Sequence, residues 1–225
     1  MTKICAIIGS RANYASLKSV MSAIKHSKEF CLQVICCASA VEDKYGSVVN
    51  FIEEDHFKID FSLSTMTHGN STLSMVKTTS QTLNDVAIAL HNLKPDYTLI
   101  VGDRYEVMSF AIASSYMNIP IIHTMGGEIT GTIDESIRHA VTKLSHIHFV
   151  ATEKSRENVI QMGENPDYVF NVGCPRIDEV DKILNQEYNF QDYVNNSGPG
   201  DEINFDMPFI LVSQHPVTTE VGFSR

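Results

Sequence analysis

Short apolar segments alternate with amphipathic segments along almost the whole chain. One amphipathic segment places Leu17, Val20, Met21 and Ile24 at the spacing of a helix that buries one face. Unbroken alternation of strands and helices predicts a mainly parallel, doubly wound α/β sheet of the Rossmann-like class. The predicted strands are residues 3–8, 30–38, 59–62, 97–101, 118–123, 146–151 and 168–172. The later helices are predicted at residues 41–52 (with a turn at 43–46), 73–93 (with Val76, Leu83, Val86, Leu90 and Leu93 on the apolar stripe), 106–116, 136–145 and 153–162. The helix at 106–116 is apolar on almost every face and is therefore expected to be buried.

The composition excludes several functions. The chain has 225 residues, of which 43% are hydrophobic and 20% are charged, as in ordinary globular proteins. A net charge of −10 argues against binding to the phosphate backbone of nucleic acids. No apolar run is long enough to cross a membrane, and the first one predicts a buried strand rather than a signal peptide. We therefore expect a cytoplasmic protein without nucleic-acid or membrane partners.

The five cysteines show no metal-ligand spacing. Four of them lie in, beside or at the close of predicted core strands, and the number is odd. Buried, reduced thiols are typical of a cytoplasmic protein. We expect neither disulfides nor a metal site.

Two predicted strands, residues 97–101 and 119–123, end in loops dense in glycine and ionisable side chains. Ligands of parallel α/β sheets bind outside the carboxyl ends of the strands. Gly126, Gly127 and Gly131 indicate tight turns or a close approach of the backbone to a ligand. The alternative is that the charges cap helices and form surface ion pairs. The candidates are Asp103, Arg104 and Glu106 after the first strand, and His123, Glu128, Asp134, Glu135, Arg138 and His139 after the second.

The first strand is followed by a strand-to-helix turn at residues 9–13. Amide groups at a helix N-terminus hold anions, and Arg11 in this turn could bind a phosphate bidentately. The alternative is a surface arginine at a helix start. The turn has neither a full GxGxxG pattern nor a P-loop lysine, so a dinucleotide site or P-loop is not expected.

The composition changes at residues 195–206, which are rich in Asn, Gly and Asp. We predict a first domain at residues 1–194, a linker at 195–207 and the start of a second, nucleotide-binding domain at 208–225, with a strand at 209–213.

Four motifs together resemble those of the hydrolysing UDP-N-acetylglucosamine 2-epimerases of sialic-acid pathways. They are GSRANY, GDRYE, GGEITGTIDESIRHAVTK and QHPVTTE, and they extend over nearly the whole chain. The resemblance implies a two-domain, glycosyltransferase-B-like fold with the active site between the domains. It also implies a nucleotide-sugar substrate, no cofactor, and a homodimer or homotetramer.

The reaction that the resemblance implies has two halves. A base removes the C2 proton of the sugar while UDP leaves C1, and water then adds across the resulting double bond to release N-acetylmannosamine. This chemistry requires acid/base groups near the sugar and cations or helix dipoles at the diphosphate. The resemblance implies catalytic roles for Asp103, Glu128, Asp134 and His215, and binding roles for Ser10, Arg11, Arg104, Arg138 and His139.

The sequence departs from the family pattern at two positions. Met125 replaces a glutamate that several relatives carry two residues after the histidine of the loop, which leaves Glu128 as the better candidate. Ala15 replaces a serine, so a hydroxyl contact to the nucleotide is lost or Ser16 supplies it. Two purely structural alternatives stay open: Asp134 or Ser136 as the N-cap of a helix, and Glu128 as a carboxylate that stabilises its loop.

Three alternative functions stay open as well. The first is the same reaction on UDP- or GDP-linked N,N′-diacetylbacillosamine, in a legionaminic-acid pathway. The second is a non-hydrolysing epimerase, and the third is a catalytically silent domain that binds a nucleotide or a partner. If the active site lies between two domains, these 225 residues alone are expected to show little or no turnover.

Overall fold

The structure, a computed structural model, describes residues 1–67, 69, 71–184, 194, 204–205 and 207–212. Contacts divide the chain into two compact units, Met1–Ile177 and Asp178–Arg225. The first unit contains strands β1 (Thr2–Ile8), β2 (Phe30–Cys37), β3 (Phe61–Leu63), β4 (Tyr97–Val101), β5 (Ile121–Thr124), β6 (Ile147–Val150) and β7 (Val169–Asn171). Its helices are α1 (Arg11–His26), α2 (Val48–Glu54), α3 (Thr72–Leu93), α4 (Val107–Tyr116), α5 (Ile133–Leu144) and α6 (Glu153–Gln161). In the second unit the structure describes α7 (Asp178–Leu184).

The seven strands form one parallel sheet in the order β3-β2-β1-β4-β5-β6-β7. The chain builds outward from β1 in one direction and then, from β4 onward, in the other. The order therefore reverses between β1 and β4, where α/β proteins bind ligands. The predicted doubly wound, Rossmann-like class is confirmed.

Alternating side chains of the central strands supply two cores, one on each face of the sheet. Ile4, Ala6 and Ile8 of β1 pack on one face with residues of α1 and α2. Cys5 and Ile7 pack on the other face with residues of α3, α4 and α5. Strands covered on both faces consist of continuous apolar runs, which is why these segments were recognisable in the sequence. The predicted burial of the fourth helix is also confirmed, since Phe110 and Ala111 are fully buried.

Several predicted boundaries were wrong. Asp60 accepts a hydrogen bond from the amide of Val34 through its side chain, and β3 begins only at Phe61. In the segment predicted as helical at residues 41–52, the predicted turn at 43–46 is present, but Gly46 and Ser47 have left-handed backbone conformations and α2 begins only at Val48.

Two other expectations about apolar segments were wrong. Val76 was predicted on the buried stripe of α3 but is 65% exposed. Within the strand predicted at residues 209–213, residues 209–212 have no regular secondary structure and are exposed, and Ser213 lies outside the described residues.

All five cysteines are free, but the expectation that they are all buried was wrong for Cys31 and Cys174, which are partly exposed. Cys5, Cys36 and Cys37 are buried, and burial raises the pKa of each of these thiols. Within the described part of the chain, none of the helices has the length and apolarity that a membrane crossing requires.

Candidate functional site

The turn between β1 and α1 is built by its own polar side chains. Ser10 caps α1 by accepting a hydrogen bond from the amide of Asn13 at 3.3 Å. The side chain of Asn13 accepts from the amide of Gly9 at 3.0 Å and donates to the carbonyl of Val101 at 3.1 Å. The turn is thereby fastened to the end of β4, across the point where the strand order reverses. Arg11 is the first residue of α1 and is exposed.

Ser16 is buried one turn into α1. Its hydroxyl donates to the carbonyl of Ala12 at 3.0 Å and accepts from Nε of Arg176 at 2.8 Å. Because both bonds are made inside the unit, Ser16 does not present a free hydroxyl at the turn. The alternative in which the hydroxyl contact is lost at Ala15 is therefore favoured.

Six charged residues form the group that we call the edge cluster, which follows the carboxyl ends of β4 and β5 and includes the first turns of α5. Arg138 is its centre: this side chain is 3% exposed and its guanidinium pairs with the Asp103 carboxylate. A second terminal nitrogen of Arg138 donates to the backbone carbonyl of Glu128 at 2.5 Å. Arg138 thus joins the loop after β4 to the loop after β5. The edge cluster consists of Asp103, Arg104, Glu106, Glu128, Asp134 and Arg138.

Asp134 lies close enough to Asp103 and to both arginines to interact with them electrostatically. Burial, followed by the negative charge of Asp103, raises the pKa of the Asp134 carboxyl, while Arg104 and Arg138 oppose the shift. Two neighbouring carboxylates with unequal environments are suited to acid and base roles in one reaction.

The predicted N-caps of α5 were wrong. The helix begins at Ile133, earlier than expected, and its N-cap position is Thr132 rather than Asp134 or Ser136. The carboxylate of Glu135 accepts from the amides of Thr130 at 2.5 Å and Gly131 at 2.6 Å, so it organises the loop before the helix. Asp134 is therefore not needed as a cap.

Glu128 follows a tightly packed double-glycine turn. Met125 has a φ of +61° and Gly127 has a φ of +81°, so the chain reverses within a few residues. The backbone carbonyl of Glu128 binds Arg138, whereas its carboxylate makes no hydrogen bond or ion pair with any residue that the structure describes. The carboxylate does not stabilise the loop in the way that the structural alternative supposed.

His123 is a buried residue of β5 whose side chain bonds to the residue that follows β4 and to α5. Its Nε2 lies 3.4 Å from the carbonyl of Gly102 and its Nδ1 lies 3.3 Å from the hydroxyl of Thr142. A carbonyl only accepts, so the ring proton is on Nε2 and the Thr142 hydroxyl donates to Nδ1. The neutral ring joins the ends of β4, β5 and α5.

The buried imidazole predicts a pH-dependent stability. Burial lowers the pKa of His123 from 6.5 to about 3. Between these values the unfolded chain binds a proton that the folded chain excludes, so stability falls as the pH drops, by up to about 1.4 kcal/mol per pH unit. Urea unfolding at pH 7.5 and pH 5 measures this effect. Between these two pH values, the free energy of unfolding is expected to fall less for His123→Gln than for the wild type.

The exposed His91 on α3 provides the control for this measurement. His91→Gln is expected to keep the wild-type loss, and burial also lowers the pKa of His148, which is unchanged in both variants. An equal loss in His123→Gln and the wild type would contradict the assignment.

The remaining predicted residues lie apart from these contacts. His139 is 3.8 Å from the Glu135 carboxylate, and His215 lies outside the described residues. No hydrogen bond or ion pair joins Ser10, Arg11 or His139 to the edge cluster within the described ranges.

Sequence reasoning did not single out Asn13, and it gave no role to Glu106 beyond membership of a charged loop. A signal for Glu106 was present, because an acid that precedes a helix apolar on every face is drawn into the core with it.

Fold and site together define a Rossmann-like α/β protein whose charged residues gather at the switch point of the sheet. The chain belongs to the UDP-N-acetylglucosamine 2-epimerase family, whose model matches residues 22–222.

Among curated proteins, the chain is 34% identical to a UDP-N,N′-diacetylbacillosamine 2-epimerase (hydrolyzing) of Legionella pneumophila, over 97% of this chain and 56% of the relative. It is 32% identical to a GDP/UDP-N,N′-diacetylbacillosamine 2-epimerase (hydrolyzing) of Campylobacter jejuni, with the same coverage of both chains. It is 38% identical to the polysialic acid biosynthesis protein P7 of Escherichia coli, over 77% of this chain and 44% of that protein. The chain therefore spans about half the length of the curated relatives that it matches.

Solved structures agree on the fold. A UDP-N-acetylglucosamine 2-epimerase of Neisseria meningitidis bound to UDP-GlcNAc superposes with a TM-score of 0.71 at 22% identity, covering 81% of this chain and 50% of that one. A related structure from Listeria monocytogenes gives a TM-score of 0.76 at 22% identity, covering 86% and 50%. Because each match covers half of the other chain, the prediction that is confirmed is the fold of the first half of a glycosyltransferase-B-like protein.

Proposed function

We propose that this protein is a hydrolysing 2-epimerase that converts UDP-N-acetylglucosamine to N-acetylmannosamine and UDP, in the synthesis of sialic or other nonulosonic acids. The observation that carries the proposal is the edge cluster, in which Asp103 pairs with the buried Arg138 and Asp134 lies beside them. These carboxylates gather at the strand ends where an α/β sheet binds its ligand.

The first half of the reaction needs a base at the C2 proton of the sugar. Asp103, Glu128 and Asp134 are the candidates, and His215 is a fourth on the segment outside the described residues. The raised pKa of Asp134 suits a group that holds a proton for the departing or arriving oxygen. Asp103, whose carboxylate pairs with the buried Arg138, is the candidate for proton removal. In the second half, water adds across the double bond: its oxygen bonds to C1 and a proton from solvent adds at C2.

Cations and helix dipoles assist the departure of UDP. Arg104 in the edge cluster is positioned for a phosphate, and Ser10 and Arg11 open α1, whose N-terminus favours an anion. Arg138 and His139 are proposed to face the sugar. The Neisseria meningitidis relative of the same fold, solved with UDP-GlcNAc, supports a nucleotide-sugar ligand.

A second candidate is the same reaction on a UDP- or GDP-linked N,N′-diacetylbacillosamine. It is favoured by the two relatives of that name, which match 97% of the chain, compared with 79% for the Neisseria meningitidis UDP-N-acetylglucosamine 2-epimerase. Both candidates require the same chemistry at C1 and C2, so the edge cluster serves either one.

Release of free UDP tests the proposal. The chain would be assayed beside a chimera in which the carboxyl-terminal half of the Legionella pneumophila relative follows it. We expect the chimera to release UDP from at least one of the two donor classes. We expect the 225-residue chain to release little or none, because residues 208–225 are proposed to begin a second, nucleotide-binding domain.

The donor that reacts distinguishes the two candidates. If the chimera leaves both donors intact while the Legionella pneumophila relative itself consumes its own, the proposal fails and the silent binding domain becomes the better account.

A further inference from the structure

Glu106 is a buried acid that the proposed reaction does not use. It precedes α4, its side chain is 1% exposed, and its Oε2 has no hydrogen-bond partner among the described residues. Burying a carboxylate with an unpaired oxygen opposes folding. Its burial at the switch point indicates a role other than stability.

The surroundings of Glu106 connect two loops. A Cβ added to Gly9 would lie 2.9 Å from Cγ of Glu106 and 3.0 Å from the ring of Phe110. The acid therefore occupies the space beneath the β1–α1 turn that a larger residue at position 9 would need. On its other side, Oε1 of Glu106 accepts a hydrogen bond from Nε of Arg104 at 2.8 Å.

This contact uses Nε of the Arg104 guanidinium and leaves its two terminal nitrogens for other contacts. Its guanidinium is bonded through Nε, with the ring of Tyr105 5.8 Å from its central carbon, and the side chain is 37% exposed. Within the described residues, Glu106 is the one carboxylate bonded to this guanidinium, through Nε, and the Tyr105 side chain lies beside it. Arg138 differs, because both of its terminal nitrogens are already bonded.

A fixed guanidinium whose terminal nitrogens are paired with no carboxylate among the described residues matches the geometry of bidentate phosphate binding. We propose that Glu106 is a positioning residue, which fixes the guanidinium of Arg104 after the carboxyl end of β4 so that the terminal nitrogens of Arg104 bind the diphosphate of the nucleotide sugar. This inference rests on the proposed function, since it takes the nucleotide sugar as the ligand. Without Glu106 the guanidinium would be free to rotate, and binding would lose the benefit of its fixed orientation.

Two readouts test the inference, the first on the 225-residue chain without ligand and the second on the chimera with ligand. In ¹H–¹⁵N NMR spectra the Nε–H signal of Arg104, assigned by its loss in Arg104→Gln, is expected to exchange slowly with water. In Glu106→Gln it is expected to shift and exchange faster. Glu164→Gln is the matched control, because Glu164 is a mostly buried carboxylate paired with Lys143 at 2.5 Å and His148 at 3.3 Å. It is expected to leave the Arg104 signal unchanged.

The second readout is the affinity of the chimera for UDP and for inorganic pyrophosphate, because the proposed second domain contributes to nucleotide binding. Arg104→Gln is expected to weaken binding about tenfold, as for the loss of hydrogen bonds to a charged group. Glu106→Gln is expected to weaken binding by a smaller factor. The double variant with both substitutions is expected to bind as weakly as Arg104→Gln alone and no more weakly. A role of Glu106 in folding alone would instead multiply the two losses.

The outcomes separate the inference from the proposed function. The inference would be overturned if the Arg104 signal is unchanged in Glu106→Gln, or if the losses of affinity in the two single variants multiply in the double variant. In either case, UDP binding by the wild type would still support the proposed function. Absence of UDP binding in both the wild type and Glu164→Gln would count against the proposed ligand and overturn the inference with it.

Gly9→Ala provides a second variant in case Glu106→Gln does not fold. It displaces Glu106 from above without removing a charge, and it is expected to shift the Arg104 signal in the same way. An unchanged signal in that variant would also overturn the inference.

Discussion

Replacing Asp103 by asparagine is expected to lower the turnover of the chimera by about 10²–10⁴-fold, the usual contribution of a positioned acid or base. Asparagine has nearly the same shape and still accepts a hydrogen bond from Arg138, so the fold is expected to survive. The substitution removes the negative charge that compensates the buried guanidinium and that we propose abstracts the C2 proton. Steady-state kinetics together with circular dichroism would separate loss of chemistry from loss of structure.

Asp55 offers a matched control. Its side chain is 30% exposed and pairs with Lys18 at 2.7 Å, while the side chain of Asp103 is 29% exposed. Asp55→Asn removes the same charge from a contact between α1 and α2, so turnover is expected to stay at the wild-type value. Wild-type turnover in Asp103→Asn would contradict the assignment of the site.

Replacing Gly127 by alanine is expected to lower the free energy of unfolding by about 3 kcal/mol or more. The new Cβ would lie 2.3 Å from the backbone carbonyl oxygen of Ser155 and 2.8 Å from Val159, both on α6. The φ of +81° adds strain for any residue with a Cβ. The loop and α6 would have to separate, which would break the bond from Asn158 to the Gly127 carbonyl and displace Glu128.

A comparison with Gly131 separates the close approach to α6 from the backbone strain. Its φ is +74°, but a Cβ there would meet nothing within 4 Å. Gly131→Ala is therefore expected to lose only the conformational term, about 1–2 kcal/mol. Urea unfolding of both variants gives the comparison, and equal losses would show that the close approach to α6 is unimportant.

Most of the fold was predictable because parallel strands buried on both faces must be continuously apolar, as β1 and β4 are. Element ends were less predictable because they depend on single side-chain bonds, such as that of Asp60 to the amide of Val34. The exposure of Val76 was not predictable from the sequence of its helix alone. Periodicity identifies the apolar side of a helix, but it does not show how much of that side the rest of the protein covers.

The candidate site was partly predictable for a similar reason. Loops after β4 and β5 meet at one edge of a parallel sheet, so Asp103 and Arg138 could be expected to approach each other. The sequence could not give the partners of each charge. The choice of Thr132 as the N-cap position and the use of Glu135 by the loop amides depend on the exact path of the chain before α5. The role of Asn13 was not predictable for the same reason, because its hydrogen bond to Val101 joins residues that are 88 positions apart.

The most direct test of the central claim is proton NMR of the chimera in D₂O with UDP-N-acetylglucosamine, and then with the diacetylbacillosamine donors. The account predicts a free 2-epimeric sugar that carries deuterium at C2, together with UDP, because the base removes the C2 proton and solvent returns one. A product that keeps its original proton at C2, or an epimer that is still attached to UDP, would contradict the proposed hydrolysing elimination.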